Sequence, residues 1–373
     1  MSEWFAQPLS MLLLGTCVLF AFIILMLAGL LRQARVRYHR PIVRLEGHTI
    51  QPPPDYAAAY KDEGESAASI SRTFEKFVPR QFAEHFAKHG QGTLELGRAD
   101  EDEVAILFCD IRGFTGLSER MSPQELMNFL NSYFMRMNEP IHANRGFIDK
   151  FIGDAIMALF DHPGGNNQDK ARDCLQAAAA LRKAVVQYNQ HRKNSGYPPI
   201  NIGIGAHFGP VILGTVGSED RMDTTVIGDS VNIAYRLESL APRYDADVLV
   251  SAQLLDTAGL KGGIPHRLLD WVRVKGKKNP VEIHEVFAHQ DEAVQQQKLA
   301  SASWLKRGIA LRKDRRWQEA ADCFTKGLEV CPGDRVLNHH IAQCHLLSQL
   351  ALPQDWDGAL DLDPADPYRT IPQ

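Results

Sequence analysis

The chain has 373 residues, 45% of them hydrophobic and 23% charged, and its 41 Lys and Arg against 45 Asp and Glu give a formal net charge of −4. That length suggests two to three domains, and the composition excludes a mostly disordered, collagen-like or many-span membrane chain. The charge balance also argues against a nucleic-acid partner, which would need a basic surface. Cys17, Cys109, Cys174, Cys323, Cys331 and Cys344 form no CxxC pair. This speaks against structural zinc or a disulfide framework and fits a reducing compartment for the main body.

The first predicted element is a membrane span. Leu9 to Leu31 contains no charged side chain over 23 residues, which as a helix would reach about 35 Å, enough to cross a bilayer once. A cleaved signal peptide is the competing reading. Against it stand the length of the run, the lack of a preceding basic residue and the lack of a clear cleavage site. Arg32, Arg35, Arg37, Arg40 and Arg44 follow the run, so the positive-inside rule puts the N-terminus outside and the rest in the cytoplasm. The expectation is a single-pass protein of the inner (plasma) membrane, with residues 1–32 as terminal segment and anchor. Residues 33–70 read as a linker, marked by Pro52-Pro53-Pro54 and then Gly64, Glu65, Ser66 and Ser69. Residues 71–98 read as a helical coupling segment, with Phe74, Phe77, Phe82 and Phe86 at helical spacing and Pro79 interrupting. Simple packing on the next domain explains those aromatics equally well.

Strand and helix signals alternate across residues 99–290. Val104 to Phe108 is a short apolar strand. Ser122-Pro123-Gln124-Glu125 is a capping box, and the helix it opens carries Leu126, Phe129, Leu130, Tyr133, Phe134, Met137 and Ile141 on one face. Phe147–Phe151 and Ala155–Phe160 read as strands joined at Gly153-Asp154. An Ala-rich helix over about 169–192, a strand pair around Ile202–Gly217, a helix from near Asp229 and short strands ending near Val286 complete the pattern. Helices on one antiparallel sheet give an α+β domain, ferredoxin-like at its centre. In the tail, 296–373, Trp304, Gly308, Ala320, Phe324 and Pro332 fall at the spacings of one tetratricopeptide repeat. A lone repeat needs a surface to pack on. The domain before it, a partner protein and the helix around Val336–Leu350 are all open to it.

Two acids stand out chemically. Asp110 ends the first strand ahead of Gly113-Phe114-Thr115, and Asp154 occupies the hairpin turn after Lys150-Phe151-Ile152-Gly153. Singly, each is an ordinary turn former. If their strands were neighbours, they would suit a pair of hard cations and in-line displacement at phosphorus. Asn232 and Arg236 lie four apart, so a helix would put them on one face: either an ordinary surface helix, or an amide and a guanidinium able to hold a ribose and a charged phosphoryl group. Lys275, in Val274-Lys275-Gly276-Lys277-Lys278, is a phosphate contact or a solvated turn.

Taken together, FVPRQF, LFCDIRGFTGLSE, DKFIGDAIMALF, GAHFGPVILGTVGS, TVIGDSVNIAYRLES and VKGKKN resemble the class III nucleotidyl cyclases, adenylate cyclases in particular, over a little more than half the chain. The resemblance implies that Asp110 and Asp154 hold two divalent cations (Mg²⁺ or Mn²⁺), with Ile111 lending a backbone carbonyl. It implies that Lys150 and Thr225 read the purine, that Asn232 orients the ribose, that Arg236 stabilises charge on the α-phosphate and that Lys275 meets the terminal phosphates. It further implies a head-to-tail homodimer whose protomers each supply part of both sites, and conversion of ATP to 3′,5′-cyclic AMP.

Hydrogen-bond chemistry supports ATP. Lysine only donates, which suits adenine N1, and the Thr225 hydroxyl can accept from N6; guanine's N1–N2 donors would face the lysine unpaired, a cost of about 1–3 kcal/mol. Many family members carry Asp where this chain has Thr225, which leaves discrimination weaker and resembles a subgroup with a bicarbonate response. A guanylate cyclase and an inert membrane scaffold are the rival readings. The scaffold would be expected to have lost one of Asp110, Asp154, Asn232 or Arg236.

Overall fold

The computed structural model describes residues 99–162, 164–218, 222–259, 263–273 and 280–361. The predicted membrane helix, linker and coupling segment lie outside the described residues, as does Lys275.

The first strand is longer than its apolar stretch. β1 runs Ala99–Ile111 and pairs antiparallel along its whole length with β4, Ile202–Gly217. Only Val104 to Cys109 and Ile111 are buried within β1, which is why the sequence pattern shows the centre alone. A left-handed Gly113 (φ 69°) turns the chain into α1, Phe114–Ser118. The capping box then starts α2, Pro123–Ala143: Ser122 accepts from the Glu125 amide while the Glu125 carboxylate accepts from the Ser122 amide. Phe129, Tyr133, Met137 and Ile141 are its buried stripe. β2 (Phe147–Ile152) and β3 (Ala155–Phe160) form the hairpin, and β3 lies antiparallel against β1. α3, Asn167–Asn194, opens on a second capping box from Asn166 and Asp169. Together α2 and α3 cover one face of the sheet, with Leu107, Cys109, Phe160, Met137 and Leu181 in the shared core.

Two expectations need correction. Ile202–Gly217 is one 16-residue strand rather than a strand pair, and its distal half also carries β5, Met222–Ile227. The sheet is mixed rather than antiparallel: β6, Val248–Ser251, runs parallel to β4. A parallel neighbour needs a crossover, and α4, Asp229–Leu240, supplies it on the face opposite α2 and α3. α4 lies so close that a Cβ on Gly205 would overlap the backbone of Ala234 and Glu238. After a 3₁₀ turn (Ala241–Tyr244), β6 and α5 (Ala252–Ala258), the strands β7 (His266–Arg273) and β8 (Val281–Val286) extend the sheet.

The tail folds as α6 (Glu292–Lys313), α7 (Trp317–Val330) and α8 (Arg335–Ser348), and a short β9 (Leu360–Asp361) joins β7 in parallel. Leu237, Tyr244, Leu269 and Val272 from the sheet side share one core with Leu305, Ile309, Phe324 and Leu337 from these helices. Charged groups are buried in the same seam. Arg267 pairs with Glu285 at 2.9 Å and with Asp334, and Arg312 pairs with Asp270. His340 Nε2 donates to the Leu269 carbonyl at 2.8 Å, which leaves Nδ1 to accept from Arg312 at 3.2 Å.

Burial and the neighbouring guanidinium push His340 down to about 4, although Asp270 pulls the other way; burial and His340 push His339 down to about 3. Both are therefore neutral in the fold at neutral pH. The unfolded chain takes up protons below its ordinary value of 6.5, and the folded chain does not. Stability should accordingly hold above that pH and fall as the pH drops toward about 4. Thermal unfolding midpoints across this range measure it, and His340→Gln should flatten the dependence.

Candidate active site

Asp110 is the penultimate residue of β1, and Asp154 follows the left-handed Gly153 (φ 65°) in the β2–β3 turn. Because β3 is registered beside β1 with Cys109 opposite Ile156, the turn is delivered to the end of β1. Both carboxylates converge on one donor: the Ile111 amide donates to Asp110 Oδ1 at 3.0 Å and to Asp154 Oδ2 at 3.2 Å. Burial pushes Asp110 up to about 8, and the nearby Asp154 carboxylate adds to the shift. Two acids sharing one amide are short of positive charge, which a divalent cation would provide. The donor set is all oxygen, as hard cations require. Among the described residues no group of three or more His, Cys, Asp or Glu converges, so the Ile111 carbonyl and a nucleotide's phosphates are the natural remaining ligands. The residues present therefore fit the cations the sequence implied.

Lys150 and Thr225 also meet. Lys150 Nζ donates to Thr225 Oγ1 at 3.0 Å, across 75 residues of sequence. A register shift in β2 between Ile148 and Lys150 is what re-aims the lysine. Asp149, within that bulge, was missed by sequence reasoning. Its carboxylate is fully buried 3.5 Å from Lys150 Nζ, and burial pushes it up to about 6 against the pull of the lysine. It sets a buried negative charge beside the Lys150 ammonium. A lone acid in an apolar strand was the only signal available.

Asn232 and Arg236 lie one turn apart on α4, the first exposed and the second half-buried. Ser230 anchors the start of that helix by donating to the Pro210 carbonyl at 2.8 Å, and Tyr235 packs edge-on against Phe108 at 5.5 Å. Among the described residues, no hydrogen bond or ion pair joins Asn232 or Arg236 to the acidic pair or to Lys150 and Thr225. Glu238, on the same helix, was also missed. Burial and Asp154 push it up to about 7 against Arg112, which pulls it down. Arg112 in turn donates to the Ala246 carbonyl and lies 4.0 Å from Asp247. These groups brace the loop after Asp110 against the sheet.

The family model described as the adenylate and guanylate cyclase catalytic domain matches residues 97–287, just over half of the chain. The chain belongs to that family. The chain is 43% identical over 222 residues to an adenylate cyclase of Anabaena cylindrica, covering 58% of this chain and 43% of that protein. It is also 33% identical over 278 residues, a stretch longer than the cyclase domain itself, to the terminal-differentiation specific adenylate cyclase of Dictyostelium discoideum, covering 74% of this chain and 13% of that protein. The chain thus spans less than half the length of either relative. A solved bacterial light-regulated adenylyl cyclase shares the fold, with a TM-score of 0.55 at 24% identity over 65% of this chain and 68% of that one. The matched range takes in Asp110, Asp154, Lys150, Thr225, Asn232 and Arg236 and stops just short of α6. The helices α6–α8 therefore lie beyond the cyclase domain in sequence while sharing its core.

Proposed function

We propose that the protein is a membrane-anchored adenylate cyclase that converts ATP to 3′,5′-cyclic AMP and pyrophosphate in sites shared by two copies of the chain. The observation that carries the base choice is the contact between Lys150 and Thr225, which sets a donor beside a hydroxyl, the two groups that suit the acceptor N1 and the donor N6 of adenine. The adenylate cyclase relatives support the same choice. Asp110, Asp154 and the Ile111 carbonyl would hold two divalent cations, Mg²⁺ or Mn²⁺, which when bound supply charge neutralisation on the triphosphate and a more acidic 3′ hydroxyl. Asn232 fixes the ribose so that O3′ faces the α-phosphorus. A new O3′–P bond forms, the bond to the bridging oxygen of pyrophosphate breaks, and the 3′ proton leaves to water or a substrate phosphate. Arg236 provides fixed positive charge where negative charge develops on the α-phosphate. Lys275 is assigned to the terminal phosphates on its motif alone.

Sharing between protomers is supported by the surface around Thr225. Ile212, Val216 and Ile227 are 41%, 43% and 52% exposed. Ile212 and Gly214 are registered opposite Ile227 and Thr225, so strand alternation puts these apolar side chains and Thr225 on one face. Tyr235, 53% exposed beside Asn232 and Arg236, adds to the apolar area. The anchor rests on the uncharged run Leu9–Leu31 and the arginines behind it, which support a cyclase domain on the cytoplasmic side of the inner (plasma) membrane. In the tail, Gly308 lets the Phe324 ring lie directly on α6, and Ala320 and Phe324 are fully buried. That packing supports a tetratricopeptide-like repeat, with its outer face for a protein partner.

One assay tests shared sites. An Asp154→Ala chain is mixed with an Asn232→Ala/Arg236→Ala chain, each inactive alone. Partial recovery is expected, since one of the two pockets in each heterodimer is then intact; no recovery despite demonstrated mixing rejects sharing. Base choice is tested by Lys150→Glu with Thr225→Cys, which should move the kcat/KM preference from ATP toward GTP by roughly tenfold or more for one mispaired edge. An unchanged ATP preference would count against the assigned pocket.

A further inference from the structure

A cavity of about 570 Å³ opens between α1, α2 and the C-terminal end of α3, on the face of the sheet away from α4. Its size is that of a small-molecule site. Part of its lining is apolar, including Leu117, Met121 and Phe129, and part is cationic, including Arg120, Arg136 and Arg192. The one carboxylate in the lining, Glu125, is committed to the Ser122 cap.

Arg192 is the decisive group. It is 5% exposed, its Nε donates to the Pro198 carbonyl at 2.8 Å, and its Nη2 has no hydrogen-bond partner. Its guanidinium lies over Phe129 at 4.7 Å and over Tyr188 at 5.6 Å. Arg136 approaches the other side of the site, over Tyr188 at 4.9 Å, held by the Ser132 carbonyl and hydroxyl at 3.0 and 2.8 Å. No carboxylate among the described residues pairs with either arginine. Stacking on rings orients a guanidinium but leaves its charge uncompensated. The α3 carbonyls that would repel an anion are already engaged: the Tyr197 amide donates to the Arg192 carbonyl at 2.9 Å, and the Ser195 amide to the His191 carbonyl at 3.1 Å.

We propose that this cavity binds a small organic anion, whose carboxylate, sulfonate or phosphate head meets Arg192 and Arg136 and whose aromatic body lies against Phe129 and Met121. The site does not overlap the acidic pair or the purine pair, and the proposal is independent of the nucleotide reading. Leu117, in its lining, belongs to the helix that follows the β1 end carrying Asp110, so an occupant touches the segment next to one member of the acidic pair.

The test titrates the full chain with 8-anilinonaphthalene-1-sulfonate, followed by fluorescence. One saturable site per chain is expected, weakened at least tenfold by Arg136→Gln and by the cavity-filling Asn128→Trp. Asn128 is exposed and Arg136 half-buried on α2, and unchanged melting midpoints would show that both variants fold. Inorganic phosphate should compete for the head position, and the neutral N-phenyl-1-naphthylamine should bind at least tenfold more weakly. Affinity unchanged in both variants, or equal affinity for the neutral compound, overturns the proposal.

Discussion

Asp154→Asn should reduce turnover about 10²- to 10⁴-fold, since Lewis-acid stabilisation of the kind assigned here is worth several kcal/mol and each decade in rate is about 1.4 kcal/mol. The substitution keeps the shape of the side chain and removes its charge. It should also leave the cation-free fold intact or firmer. The Ile111 amide is divided between Asp110 and Asp154, and the Asp154 carboxylate helps to push Asp110 up to about 8. With an amide in its place, Asp110 ionises at lower pH and retains the donor. A carboxyl raised in the fold is protonated there while the unfolded chain has released its proton, so the pair costs stability increasingly as the pH rises from the ordinary value of 3.8 toward about 8. Asp154→Asn should remove the part of that decline that Asp154 causes, leaving the larger part due to burial. Melting curves with and without Mn²⁺ separate the two effects. The wild type should gain stability on adding the cation, and Asp154→Asn should gain little. A variant that melts earlier than wild type without cation, and still responds to it, would show that Asp154 serves packing rather than cation binding.

The acidic pair was legible because its information is local. A strand, a glycine bend and a tight hairpin each announce themselves within a few residues, and only the pairing of β1 with β3 was needed to bring them together. The Ser122 cap and the stripe on α2 were legible for the same reason. What stayed hidden depends on contacts between distant parts of the chain. Ile202–Gly217 reads as a strand pair. In the fold the strand continues, because Ser230 from α4 packs over Gly209 and bonds the Pro210 carbonyl. The parallel pairing of β4 and β6 follows from where α4 crosses, which no local pattern encodes. Asp149 and Glu238 look like ordinary charges in the sequence; burial alone makes them unusual. The tail gave a clear helical repeat and no indication of which surface would cover it.

Arg312→Met should destabilise the fold by about 3–5 kcal/mol, the usual cost of leaving one member of a buried ion pair alone. That is a large share of the roughly 5–15 kcal/mol by which a domain is stable. Arg312 and Asp270 are both 0% exposed. Burial alone would push Asp270 up, but Arg312, His340 and Tyr244 outweigh it and hold the carboxyl well below the usual range. The Tyr244 hydroxyl donates to Asp270 at 2.6 Å and the Trp271 amide at 2.7 Å, so the carboxylate is fully engaged only while Arg312 is present. Asp270→Leu combined with Arg312→Met should recover most of the loss, because an apolar pair of similar bulk leaves no buried charge. Urea unfolding of the two single variants and the double variant gives the coupling directly. Strict additivity would mean that the pair contributes nothing as a unit. The consequence reaches the nucleotide site through packing. Tyr244 closes the 3₁₀ turn that follows α4, and Leu237 of α4 lies in the same core as Leu305 and Phe324 of the tail. Loosening this seam frees the helix that carries Asn232 and Arg236, so Arg312→Met should lower kcat in the molecules that remain folded, while the cation-dependent rise in melting temperature at Asp110 and Asp154 persists. If the rate per folded molecule stayed at the wild-type level, the tail would be a stabilising cap with no hold on α4.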